Sequence, residues 1–184
     1  MTSIAIPRIA VTLALLSAAL APLSGGPLDH PRVGKPAPEF THLETSKWLN
    51  SGPLSMKALK GNVVFLDVWT FACWNCYRSF PWLRAMEARF KGRPLRVIGV
   101  HTPEFEREKV RANVARHIKK YRLEHPVMMD NDFSYWRALA NRYWPAFYII
   151  DKKGIIRAVF IGETHSGTPR AKAIEATIEK LLAE

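Results

Sequence analysis

Cysteine is nearly absent from this chain of 184 residues, which carries only Cys73 and Cys76. A disulfide-stapled scaffold is excluded, because such domains use several bridges to replace a core. No second Cys-x-x-Cys exists, so a four-cysteine zinc site is excluded as well. Tyr77, and not histidine, follows Cys76, which rules out c-type haem attachment. The first thirty residues hold no cysteine that a lipid could modify. Long apolar runs are also lacking. The best one, Ile9 to Ala21, is shorter than the roughly 20 residues a comfortable membrane span needs. There is no internal repeat and no low-complexity stretch. Acidic residues are the minority charge, 16 against 27 Lys and Arg, for a net +11. Nucleic acid is not the implied partner, because the basic residues are scattered and no aromatic–basic platform accompanies them. A solvated basic face that attracts acidic partners or an anionic membrane surface is the better reading.

What is present begins with a leader. Met1 to Arg8 carries one positive charge, Ile9 to Ala21 is apolar, and Pro22 to Pro31 is rich in Pro and Gly. Basic start, short apolar core and small residues before a break are the layout of a secretory signal. Residues 1–30 are therefore expected to be a signal peptide, or an uncleaved N-terminal anchor, plus a linker. Residues 31–184 are expected to form one domain. Export places that domain in the periplasm or another extracytoplasmic space, where thiols tend to be oxidised.

Val63 to Trp69 reads as a buried strand and the segment from Tyr77 to Lys91 as a helix with Phe80, Leu83, Met86 and Phe90 on its apolar face. Pro81 lies inside that helix and is expected to kink it. Leu95 to His101 is the next strand, Glu106 to Tyr121 a helix, Pro126 to Met129 a short strand and Ser134 to Arg142 a short helix. Pro145 to Ile150 and Ile155 to Ile161 form a hairpin around Asp151-Lys152-Lys153-Gly154. Pro169 to Leu182 is a final helix. Strands alternating with helices, followed by a hairpin, predict an α/β sandwich with a mixed central sheet and helices on both faces.

The two cysteines thus fall on a strand-to-helix turn. Three readings stand: a redox-active dithiol, a metal site completed by histidines, or an inert pair whose short loop stabilises little. The turn favours the first. The free N–H groups of a first helical turn, with the helix dipole behind them, favour a thiolate, and only a thiolate attacks a disulfide. Cys73 is then the nucleophile and Cys76 the resolving thiol.

This order of elements, with Cys-x-x-Cys at the first strand–helix turn, resembles the thioredoxin superfamily. Pro81 sits five residues after Cys76, where thioredoxins carry a helix-kinking proline. The run Asp67-Val68-Trp69-Thr70-Phe71-Ala72-Cys73 resembles the thioredoxin motif with its buried acid, and Trp144-Pro145 stands where the family keeps a cis-proline. Gly34 to Phe40 and Leu59 to Val64 look like the exported TlpA/ResA type. Trp69 to Arg78, Gly99 to Phe105 and Asn141 to Asp151 are similar to the thioredoxin-like domain of DipZ-type proteins, which fuse it to a membrane electron transporter. The middle pair Trp74-Asn75 departs from the family's usual pairs.

The resemblance implies a thioredoxin-like sandwich and a thiol–disulfide oxidoreductase that exchanges disulfides with protein cysteines, with no cofactor and no resident metal. Cys73, Cys76 and Asp67 are the catalytic candidates. Asp67 would accept the Cys76 proton, a carboxylate in apolar surroundings having a raised pKa; a strand Asp facing solvent is the alternative. Trp74, Trp144 and Pro145 are the candidate substrate contacts, with a cis Pro145 beside the cysteines. A separate membrane electron-transfer protein is an implied partner, and a monomer is expected. His101 reads as a loop-capping or proton-transferring histidine. The competing function is a copper-handling protein that uses both cysteines and a histidine.

Overall fold

A computed structural model describes residues 26–184; most of the predicted leader lies outside them. Six strands form one sheet: β1 (Trp48–Leu49), β2 (Val63–Trp69), β3 (Leu95–His101), β4 (Val127–Met129), β5 (Ala146–Ile150) and β6 (Ile156–Ile161). Their order is β1-β4-β3-β2-β5-β6. β2, β3 and β4 run parallel, whereas β5, β6 and β1 pair antiparallel with their neighbours. The mixed sheet is the one the sequence implies. Helices α1 (Trp74–Arg89), α2 (Arg111–Tyr121), α3 (Ser134–Ala138) and α4 (Pro169–Ala183) cover it. Among the described residues no helix is long and apolar enough to cross a membrane.

All seven residues of β2 are buried, because the strand is central and both its faces are covered. The alternation of a strand sends Phe65 and Trp69 to one face and Val64, Leu66 and Val68 to the other. On the first face they meet α1 through Phe80 and Leu83, α2 through Val114 and Ile118, and α4 through Ile174 and Ile178. On the second they meet Tyr135 of α3, Leu139, and Phe40 and Met56 from the chain before β2.

Departures from the sequence reading are local. β1 is two residues long and has no periodicity to read. The helix expected from Glu106 starts at Arg111: Glu106–Lys109 is a 3-10 turn, and extended Val110 interrupts it. Val110, which stands at helical spacing with Val114, Ile118 and Tyr121 in the sequence, is 49% exposed. α3 stops at Ala138, short of Arg142, and Ala140 takes a left-handed φ of 54° just after it. α1 begins at Trp74, three residues earlier than expected, and Pro81 lies within it. The β5–β6 turn matches expectation, with Gly154 at φ 86° and Asp151 Oδ1 accepting the N–H groups of Lys153 and Ile155.

The chain before β1 runs along the outer edge of β6. Leu28 donates its N–H to Val159 O at 2.9 Å, Gly34 donates to Ile156 O at 2.8 Å, and Lys35 O accepts from Ile156 at 3.0 Å. A bridge between Pro36 and Ile155 ends this strap.

Candidate active site

The site lies where β2 and β3 end. Cys73 is the N-cap of α1, in extended backbone conformation, and its Sγ accepts the Cys76 N–H at 3.1 Å. The two sulfurs form a disulfide. They are not equivalent. Cys76 is fully buried, whereas Cys73 is half-buried at the rim. In the reduced protein the same N–H and the start of a 16-residue helix stabilise negative charge on Cys73. Burial favours the neutral thiol on Cys76. The geometry therefore separates an accessible sulfur from a protected one.

Asp67 is 1% exposed on the β2 face that also holds Trp69 and Cys76. The solvent-facing alternative is thereby excluded, since α1 covers this face. Burial pushes its carboxyl up to about 7; nearby His125 pulls it down and Glu87 pushes it up. Its Oδ2 has no hydrogen-bond partner in the described structure. Such a carboxyl exchanges its proton near neutrality.

The Trp144-Pro145 bond is cis. Val68 pairs with Ala146, so Pro145 stands at the same sheet end as the turn from Trp69 to Cys73. Pro145 is buried and its carbonyl accepts Gly162 N–H at 2.9 Å. Trp144 is half-buried and tilted against Trp136, ring centroids 4.4 Å apart. Trp74 is 67% exposed beside the cysteines. His101 is buried between Trp69 and Phe71, and burial drops its pKa to about 4, so it is neutral in ordinary conditions. One cluster of three convergent donors occurs among the described residues, His42, Asp130 and Asp132, and it includes neither cysteine.

Glu108 escapes a sequence reading. Its side chain is buried, and its carboxylate accepts Ala72 N–H at 2.7 Å, Glu104 N–H at 2.5 Å and Phe105 N–H at 2.8 Å. It ties the residue before Cys73 to the loop after β3. Ser79 does similar work behind the site: its Oγ donates to Asn75 O and accepts Thr164 N–H. Neither has a signal in the sequence, because each reads as an ordinary polar residue in a helix.

Sheet order, cis-proline and a Cys-x-x-Cys capping the first long helix define a thioredoxin-like protein with a redox-capable disulfide. Residues 33–159 match the AhpC/TSA family, and the chain belongs to that family. It is 41% identical over 119 residues to Protein DipZ of Mycobacterium tuberculosis, covering 63% of this chain and 17% of DipZ. The chain therefore corresponds to a small part of that relative's length. It is 29% identical over 134 residues to thiol-disulfide oxidoreductase ResA of Bacillus cereus, covering 72% of this chain and 71% of ResA. The crystal structure of a thioredoxin-like superfamily protein superposes with a TM-score of 0.70 at 26% identity, over 81% of this chain and 97% of that one.

Proposed function

We propose that this chain is a thiol–disulfide oxidoreductase that exchanges disulfides with protein cysteines outside the cytoplasm. The observation that carries the proposal is the asymmetry of the pair: Cys73 at the helix cap and half-buried, Cys76 fully buried one turn inside. Likeness to ResA, a thiol-disulfide oxidoreductase by name, supports it. The leader-like residues 1–30 support the location. Cys73 attacks the partner's disulfide; Cys76 gives its proton to Asp67 and displaces the partner from Cys73. Trp74, Trp144 and Pro145 form the rim against which the partner lies. A separate membrane electron-transfer protein would exchange electrons with the resulting pair. The direction of net flow follows the reduction potential, about 30 mV corresponding to 1.4 kcal/mol for a two-electron couple.

Trapping tests the roles. Cys76→Ser should hold partners on Cys73 as mixed disulfides, and Cys73→Ser should hold none. Equal trapping by both variants would overturn the division of labour, and full insulin-reducing activity in both would overturn the enzyme reading.

A further inference from the structure

Asp67 is sealed from solvent, and a docked partner would cover the front of the site as well. The proton it takes from Cys76 needs a way out. Behind it, three buried polar atoms lack partners in the described structure: Asp67 Oδ2, Trp69 Nε1 and His125 Nε2. Two of them lie against the strand neighbour of the third. Gly99 pairs with Asp67 across β2 and β3, and a Cβ on Gly99 would lie 3.0 Å from Trp69 Nε1 and 3.3 Å from His125 Nε2. The missing side chain lets Trp69, His125 and the Val127 Cγ2 methyl, also 3.0 Å from that Cβ position, pack directly against the β3 backbone beside Asp67. On its far side His125 Nδ1 meets both carboxylate oxygens of Glu87 at 3.2 Å. The His125 side chain is 2% exposed and that of Glu87 24%. Both line a surface cleft of about 880 Å³ beside Val97 and Ile98, in the first half of β3, whereas the cysteines lie beyond its far end.

We infer that Asp67 exchanges its proton with solvent through a rear relay, in which a water shared by these unpartnered atoms links Asp67 to His125, and Glu87 carries the proton to the cleft. This inference rests on the dithiol-exchange reading above. In the step concerned, Cys76 S–H transfers its proton to the Asp67 carboxylate. The Cys76 sulfur then bonds to Cys73, and the bond from Cys73 to the partner breaks. The partner sulfur leaves with the electron pair and is protonated on the open side. Asp67 passes its proton to His125 Nε2 through the water, and His125 releases the Nδ1 proton toward Glu87. The reverse step runs the proton inward. The titratable groups around Asp67 are Cys76 and Glu87 from α1 and His125 from the loop before β4; β3 and β5 offer Gly99 and Phe147 at the paired positions. His125 and Glu87 are positioning residues, since neither touches sulfur or partner. Asn50 Nδ2 donates to His125 O at 2.9 Å and steadies the loop that carries the imidazole.

Stopped-flow measurement of the two half-steps tests this, with a protein disulfide partner and with glutathione disulfide, on wild type, Glu87→Gln, His125→Ala and Asp67→Asn. With the protein partner, Glu87→Gln and His125→Ala should leave the Cys73 attack unchanged, slow resolution about tenfold and flatten its pH profile near 7. Added imidazole should restore His125→Ala. With glutathione disulfide, which leaves the front open, resolution should stay within twofold of wild type. Unchanged resolution with the protein partner in Glu87→Gln and His125→Ala, while Asp67→Asn is slow, would overturn the relay and leave the dithiol reading intact. Equal slowing with both disulfides would also overturn it. Exchange that survives loss of both cysteines would instead overturn the dithiol reading. Glu87 is at the helix surface, so Glu87→Gln alone decides for or against the relay if His125→Ala does not fold.

Discussion

Glu108 holds three backbone N–H groups with one carboxylate that has no contact with water. Replacing it by alanine strands these donors, at roughly 1–3 kcal/mol for each that finds no other partner. Glu108→Ala should therefore lower the denaturant midpoint at unchanged slope and loosen the turn before Cys73, seen as faster amide exchange at Ala72. Asp67 works in the opposite direction. Its carboxyl, raised by burial to about 7, keeps its proton in the folded chain over a range where the unfolded chain has lost it. Below the ordinary carboxylate pKa both states are protonated and the full stability is present. As pH rises from about 4 to 7 stability falls, by on the order of 4 kcal/mol once both states are ionised. Asp67→Asn should match wild type at pH 3.5 and exceed it at pH 8 in urea unfolding. Asp67 was legible because one acid in a run of apolar strand residues must go under a cover or break the pattern. Glu108 was not legible: in a segment as charged as Glu104 to Lys109 a carboxylate reads as solvated, and only the return of the chain beside Ala72 buries it.

At the scale of elements, strong periodicity was readable and short punctuation was not. β2, β3, β5, β6, α1 and α4 follow from apolar patterns long enough to fix a period. β1 exists only because β4 offers an edge to it, with Trp48 opposite Met128. α3 is a single turn or so, and its start depends on Asp130. That buried carboxylate accepts the N–H groups of Tyr135 and Trp136 and the hydroxyls of Ser134 and Thr102. Asp130→Ala should uncover these donors and destabilise the protein by a few kcal/mol. Near-ultraviolet circular dichroism should report the loosening of Tyr135 and Trp136, while far-ultraviolet signal from the longer helices persists.

At the scale of the whole molecule, the net charge of +11 predicts how partners arrive. Attraction of an acidic partner falls as salt shortens the Debye length from about 30 Å at 0.01 M to about 10 Å at 0.1 M. Exchange with an acidic protein disulfide should slow over that range, whereas exchange with a small neutral disulfide should barely change. Neither the cleft behind the sheet nor the gathering of Asp67, Gly99 and His125 was legible in the sequence. These residues are spread over almost sixty positions, and only the parallel pairing of β2, β3 and β4 stacks them. The cysteine pair, its helix and the cis-proline at the same sheet end were legible because each is a short contiguous pattern.

The strap along β6 has a consequence for how copies of the molecule treat one another. A bare edge strand is a template on which any extended chain can crystallise into a growing ribbon. Here one side of the template is already occupied by the protein's own residues 28–36, and the opposite border is a strand of only two residues. The molecule thus closes its β6 edge with its own chain. A version beginning at Ala37 should keep its disulfide, and light scattering should show it associating with time and concentration while the strapped protein does not.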